Sequence, residues 1–303
     1  MKNKQKLSIV IATYNEADNI KRCLDSINDI ADEIIIVDGE SRDTTVEIAK
    51  KYSKVTIITT TNKPNFHINK QIGIEACKNE WIFLLDADEE VSPQLAKEIT
   101  NLLSQTSSQI TLSQSKIKNK LLLRHQKIVE LRDGNYDKKD SEYTAFFVPR
   151  LNYFLGKFIR YGGVYPDGQV RLFQKSCSRQ PAKDVHEQIS TDGRVGWLQS
   201  DLYHYADPTF SRYLLRNNRY TSNIATELQS KNIKFNFSNF ILYFFIKPIY
   251  WFLLTYFRHK GLLDGFAGFV FSFYSSLRFP IAYIKYYELA KTNETISLKK
   301  DWD

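Results

Sequence analysis

Along the first hundred residues, short apolar runs alternate with stretches in which apolar residues recur at helical spacing. Residues 7–12, 33–37, 55–59 and 81–85 are dense in Ile, Val, Leu and aromatic side chains. Runs with so little polar–apolar alternation are the pattern of parallel strands buried on both faces. Between the first two, Ile20, Cys23, Leu24 and Ile27 fall at i, i+3, i+4 and i+7, one face of a helix. Ser41 or Asp43 offers a cap for a second helix containing Val46 and Ala49, and a third helix is expected over about residues 68–77. The β-α-β-α-β-α-β order predicts an α/β fold: a mostly parallel sheet covered by helices, with ligands at the carboxyl ends of its strands.

The pattern changes further on. Residues 105–142 form a polar, basic insertion with one helix expected near 121–131. From 145 to 205, strand-like runs are broken by turns at Gly162-Gly163, Pro166-Asp167-Gly168 and Asp192-Gly193, which suits a smaller mixed sheet carrying functional loops. Residues 210–228 read as a helix. The remainder is aromatic and basic, with two apolar segments split by Arg258-His259-Lys260-Gly261. Neither reaches the roughly 18 uncharged residues of a spanning helix, because Lys247 and Arg258 interrupt the first and Arg278 the second. The chain is therefore expected to divide into an α/β part, 1–228, and an amphipathic helical extension, 229–303.

Composition narrows the class. With 303 residues, 43% hydrophobic and 25% charged, the chain is neither disordered nor low in complexity. Three distant cysteines without a CxxC predict a reduced, cytosolic protein lacking a zinc framework. The apolar run behind the basic start is too short for a signal peptide. The net charge of +8 suits a phosphate-bearing ligand or an anionic membrane surface. Nucleic acid is not expected, since no recognition motif accompanies the charge. That charge is concentrated: residues 99–129 hold Lys116, Lys118, Lys120, Arg124 and Lys127 and no acid, and residues 228–263 hold Lys231, Lys234, Lys247, Arg258 and Lys260 and no acid.

The sharpest chemical signal is Asp86-Ala87-Asp88-Glu89-Glu90, where a buried strand ends in carboxylates. An Asp-x-Asp in that place can hold a hard cation such as Mg2+ or Mn2+, which takes one or two carboxylates plus substrate phosphates. The alternative is a solvated acidic turn that starts a helix. Strand one ends in Thr13-Tyr14-Asn15-Glu16 and strand two in Asp38-Gly39-Glu40-Ser41, on the same edge. Separately these read as a helix cap and a plain turn. Together, three polar strand tips are what a nucleotide needs.

These runs, residues 8–16, 37–43 and 85–89, resemble the family 2 inverting glycosyltransferases of GT-A fold. The likeness continues through Asn69-Lys70-Gln71, residues 165–173, Val185-His186-Glu187, residues 202–205 and residues 260–265, and this fuller set is similar to the lipopolysaccharide inner-core β-glucosyltransferase branch. Gly168 and Val164, where the branch usually carries aromatic residues, and the basic insertion depart from it. The resemblance implies a Rossmann-like GT-A domain with a helical extension, a UDP-sugar donor and an Mn2+ or Mg2+ cofactor. It implies a lipid-linked saccharide acceptor of lipopolysaccharide type, and a peripheral place on the cytoplasmic face of the inner membrane. It makes Asp88 the metal ligand, with Asp86 placing the ribose or sharing the metal, and Thr13, Tyr14, Glu16, Asp38 and Lys70 around the nucleotide.

The reaction it implies is a single displacement, so a carboxylate must take the acceptor proton. Asp167, in its Pro-Asp-Gly turn, is the first candidate and Glu187 the second; an ordinary turn aspartate is the plain reading of Asp167. His186 is a candidate metal ligand and Arg171 a candidate for the diphosphate, its planar fork matching phosphate oxygens. His204 is left between core packing and donor contact. In the extension, aromatic residues with Lys234, Lys247, Arg258 and Lys260 suit an anionic lipid interface. A sugar nucleotidyltransferase is the rival enzyme class, but it calls for a Gly-rich basic loop after strand one, which residues 13–16 are not; a non-catalytic membrane scaffold of the same fold is the other rival.

Overall fold

The computed structural model describes residues 4–63, 65–134, 138, 141–181 and 188–292. In chain order the elements of the first two-thirds are β1 (Leu7–Thr13), α1 (Ala17–Ile27), β2 (Glu33–Asp38), α2 (Thr45–Ala49), β3 (Val55–Thr59), α3 (Phe66–Ala76), β4 (Trp81–Asp86), β5 (Glu89–Val91), α4 (Pro93–Leu102), α5 (Ser107–Ser115), α6 (Lys120–Asp133), β6 (Tyr143–Val148), β7 (Arg150–Phe154) and β8 (Lys157–Ile159). Then come β9 (Gln169–Gln174), β10 (Ser178–Arg179), β11 (Ser190–Thr191), β12 (Arg194–Trp197), β13 (Leu202–Asp207) and α7 (Phe210–Ser230).

Seven strands form one sheet in the order β12-β6-β9-β4-β1-β2-β3. The four strands expected from apolar runs are its parallel half, and the antiparallel β9 joins β4 to β6. Successive residues of each strand feed opposite layers. Ile9, Ile11, Ile34, Ile36, Phe83 and Leu85 meet Ile20, Cys23, Leu24 and Ile27 of α1 on one side. Val10, Ile35, Val37, Ile82 and Leu84 meet Ile74 and Cys77 on the other. Both sheet faces are therefore apolar, which is why the strands read as unbroken runs.

Two expectations change. Residues 145–205 form the expected smaller sheet only in part: β6, β9 and β12 extend the main one, while β7, β8 and β13 join β5 in a second sheet of order β5-β13-β7-β8, and β10 pairs with β11. The insertion is also better ordered than its composition suggests, since Ile110, Leu122 and Val129 supply buried positions on α5 and α6.

The chain packs as two units, residues 1–151 with 166–204, and residues 152–165 with 205–303. The whole sheet lies in the first; α7 belongs to the second. In that second unit the β7–β8 hairpin is followed by a loop whose Arg160 and Tyr161 amides donate to the buried Asp264 carboxylate (3.1 and 2.8 Å). Phe237–Arg258 is one continuous helical run of 22 residues, long and apolar enough to cross a membrane by length and composition, contrary to the count of uncharged residues. Lys247 lies within it, its ammonium 3.7 Å over the Tyr243 ring. The Phe240, Phe245, Ile249, Leu253 and Phe257 side chains on this run are exposed.

Candidate active site

Register gathers the strand tips. Ala12 lies opposite Val37 and Asp86, and Thr13 opposite Asp38. Asp38, almost fully buried, accepts Thr13 Oγ1 (3.0 Å) and Ser41 Oγ (2.6 Å) on one oxygen and the Ser41 amide (2.9 Å) on the other. The first and second loops then clasp each other: the Asn15 amide donates to Ser41 Oγ (2.9 Å), the Arg42 amide to Asn15 Oδ1 (2.8 Å) and the Ala17 amide to Asp43 Oδ2 (3.0 Å). Asp43 also accepts from the Thr45 amide (3.0 Å), but the residue at the N-cap of α2 is Thr44, without a side-chain cap, rather than Ser41 or Asp43 as expected. Asn15 and Glu40 are held at φ 55° and 64°, left-handed backbone that persists in non-glycine residues only where the surroundings impose it. A Cβ on Gly39 would come within 3.1 Å of Asn62 Cα, so its absence lets the third strand's tip close in. Of the residues expected around a nucleotide here, Thr13 and Asp38 are buried scaffold, Tyr14 is an exposed ring, and Glu16 is half-buried, its carboxylate accepting from Asn19 Nδ2 (2.9 Å).

The acidic tip of β4 does not begin a helix. Glu89 and Glu90 lie in β5, and α4 starts only at Pro93, with the Leu95 amide donating to Ser92 Oγ (3.2 Å). Asp86 instead sits between cations. Lys70 Nζ is 2.6 Å from Oδ1 and Arg171 Nη2 is 2.6 Å from Oδ2. Arg171 Nη2 is also 2.6 Å from Glu89 Oε1, which Arg150 Nη1 approaches at 3.3 Å. Arg150 Nη2 goes on to Asp167 Oδ2 (2.8 Å), while its Nε donates to the Asp167 carbonyl (3.3 Å). The result is one line of alternating charge, Lys70–Asp86–Arg171–Glu89–Arg150–Asp167.

Each member is fixed by its element. Lys70 lies one turn before Gly73, where a Cβ would stand 2.5 Å from Val10 Cγ1, so α3 rides unusually close on β1. Glu89, with no exposed surface, also accepts the Asp86 amide (2.9 Å). Asp167 has φ 40°, and its turn is braced by the Arg150 amide donating to the Pro166 carbonyl (2.8 Å). Gly168 follows, where a Cβ would meet Trp197 Cη2 at 2.4 Å and His125 Cδ2 at 3.1 Å. Two aromatic rings from elsewhere thus fill the space of the aromatic residue usual at that position, and His125 Nε2 lies 3.0 Å from the Gly168 carbonyl.

Electrostatics follow from this packing. Burial raises Asp86, but Arg171 and Lys70 outweigh it and hold the carboxyl well below the usual range. Burial lowers the Lys70 ammonium, only partly offset by Asp86. Burial lowers Arg150 and Arg171 too, yet their carboxylates win: Asp167 and Glu89 raise Arg150, and Asp86 and Glu89 raise Arg171. Asp88, half-buried, is raised by burial and lowered further by His204, whose Nε2 is 3.5 Å from Asp88 Oδ2; the net shift is downward. His204 reaches it because β13 pairs with β5, setting His204 opposite Glu89.

Asp86, Lys70, Arg171 and Asp167 therefore lie on one connected line, and Asp88, two residues after Asp86, pairs with His204. Both Asp86 oxygens are engaged by cations, and Arg171 is engaged by carboxylates rather than open to solvent. His186 and Glu187 lie outside the described residues. Glu89, Arg150 and the His204–Asp88 pairing were not anticipated; all three depend on contacts between residues more than 60 positions apart or on strand pairing, which local spacing does not carry. Among the described residues no cluster of three His, Cys, Asp or Glu could enclose a metal. The Asp88–His204 pair offers one oxygen and one imidazole donor, which fits a cation that leaves most of its coordination to a diphosphate. Asn69 Oδ1 and Arg171 Nε are buried without a hydrogen-bond partner among the described residues.

A family model described as "Glycosyl transferase family 2" matches residues 8–163. An "Uncharacterized glycosyltransferase" of Rickettsia felis is 28% identical over 98% of this chain and 93% of its own length. The "Lipopolysaccharide core biosynthesis glycosyltransferase LpsC" of Rhizobium meliloti is 25% identical over 87% of this chain and 85% of its own. Among solved structures, S. aureus TarS 1–349 aligns over 96% of this chain and 93% of that one, at 13% identity and a TM-score of 0.38.

Proposed function

Because the chain belongs to glycosyl transferase family 2, we propose that it moves a hexose, glucose first among the candidates, from a UDP-sugar to a lipid-linked saccharide of lipopolysaccharide-core type, with inversion at the anomeric carbon. The observation that carries this reading is the unbroken line of ionic contacts from Lys70 and Asp86 at the nucleotide edge to Asp167, with Asp88 and His204 beside it. The similarity to LpsC supports the acceptor class.

In this reading Tyr14 and Glu16 face the nucleoside, and Thr13 and Asp38 hold the strand tips that carry them. Asp88 and His204 hold a divalent cation, Mn2+ or Mg2+, which when bound offsets charge growing on the departing diphosphate. Lys70 and Arg171 fix Asp86 against the strand tip, where its carboxylate is kept ionised for the ribose hydroxyls. Asp167 accepts the proton of the attacking hydroxyl, oriented by the two-pronged grip of Arg150 on its carboxylate and carbonyl. A lipid-linked acceptor also accounts for the exposed aromatic side chains of Phe237–Arg258 and the helix after it, which we assign to the cytoplasmic surface of the inner membrane as a peripheral contact.

The test is a screen of UDP-sugars for Mn2+-dependent hydrolysis and for transfer to extracted lipopolysaccharide, run on wild type, Asp88→Ala and Asp167→Asn. Asp88→Ala is expected to lose turnover, and Asp167→Asn to bind donor without transferring it. Near-normal turnover in Asp88→Ala removes the metal assignment; transfer by Asp167→Asn removes the base.

A further inference from the structure

The insertion helix α6 has two faces of different character. Its inner face carries Leu122 and Val129, buried in the core, with His125 on the Gly168 carbonyl and Gln126 Oε1 accepting the Trp197 indole (2.9 Å). Its outer face interleaves Lys120, Arg124 and Lys127 with Leu121, Ile128 and Leu131, all exposed; Leu131 is 89% exposed and Ile128 55%. At 100° per residue these six fall within about a third of the helix circumference. The helix itself adds only Glu130, half-buried and paired with Gln126 (2.9 Å), and the terminal Asp133 against its bases.

From this we infer that the outer face of α6 is a second membrane contact, occupied by an anionic lipid surface. Large aliphatic side chains held out in water between cations are poorly explained by a nucleic-acid partner, whose phosphates call for the bases alone. A headgroup layer takes both, the aliphatic tips entering its apolar side while the ammonium and guanidinium groups stay among phosphates. The placement has a consequence for chemistry: the helix that meets lipid also holds, through His125, the residue after Asp167. A lipid-linked acceptor would then arrive at the turn that carries its base. This inference rests on the membrane-linked acceptor proposed above and extends it to the basic insertion.

The experiment uses the full chain with Cys177→Ser and Leu131→Cys, labelled with an environment-sensitive fluorophore. It is mixed with phosphatidylglycerol–phosphatidylcholine vesicles, phosphatidylcholine vesicles or a short single-stranded RNA, and sedimentation of the chain with vesicles is measured in parallel. The expected result is a blue shift on the anionic vesicles alone, lost when Lys120, Arg124 and Lys127 are changed to Gln. Each base removed should weaken vesicle binding about fivefold. If the chain sediments with vesicles and the label does not respond, α6 is not a lipid contact and the C-terminal assignment stands. If the chain does not sediment, both fall. A response to RNA in place of vesicles overturns the inference in favour of nucleic acid.

Discussion

Replacing Glu89 with Gln isolates the charge that ties the constellation together. The side chain has no exposed surface, and its carboxylate lies 2.6 Å from Arg171 and 3.3 Å from Arg150. Glutamine is nearly isosteric, so no cavity opens, and its carbonyl oxygen still accepts one hydrogen bond. What disappears is the negative charge between two guanidinium groups. Removing one partner of a buried ion pair costs about 3–5 kcal/mol. Here each arginine keeps a second carboxylate, Asp86 for Arg171 and Asp167 for Arg150, which sets the expectation near the lower end, about 3 kcal/mol. For a unit of this size each kcal/mol moves Tm by about 2–4 °C, so the variant should melt about 6–12 °C below wild type. Thermal unfolding of the full chain at neutral pH, followed by circular dichroism, reads this directly. The same gap should persist at about 1 M salt, because buried pairs are screened little. A variant that melts within about 2 °C of wild type, or a gap that closes in salt, would refute the picture of a buried charge line.

Two further outcomes follow from the geometry. Asp86 is held well below the usual carboxylate range, so its contribution to stability is complete above the unfolded value of about 3.9 and is lost as pH falls from there toward the folded value; Tm measured from pH 6 down to pH 2 should drop more steeply in wild type than in Asp86→Asn, and parallel curves would contradict it. Gly168→Phe forces its Cβ to 2.4 Å from Trp197 Cη2, an overpacking that should cost about 1–3 kcal/mol in chemical denaturation, and Trp197→Ala in the same chain should give part of that back; an unchanged midpoint in Gly168→Phe would show that Trp197 is not fixed there.

How far the chain could be read from its residues differs between fold and site. The parallel half of the sheet was legible because each strand is apolar on both faces, and α1 because Ile20, Cys23, Leu24 and Ile27 mark one stripe. The three polar tips were legible because a parallel sheet puts all its carboxyl ends on one edge. The other half was not, since β6, β9 and β12 are separated by turns and join the sheet out of chain order. Gly168 could be seen as a departure, but its reason, the Trp197 and His125 rings occupying that volume, is a tertiary fact. Arg150 looked like any arginine ahead of an apolar run; its grip on Asp167 exists only because β7 and the Pro166 turn are neighbours. Lys247 interrupted a hydrophobic run on paper, yet a cation over the Tyr243 ring is compatible with an unbroken helix.

The most direct measurement is an anomalous difference map from a crystal of the chain grown with Mn2+ and UDP. The expected result is a manganese peak bonded to the Asp88 carboxylate and His204 Nε2, with the diphosphate on its open side and the nucleoside against the tips of β1 and β2. Manganese and UDP bound away from Asp88, with the Asp88–His204 pair unaltered, would contradict it.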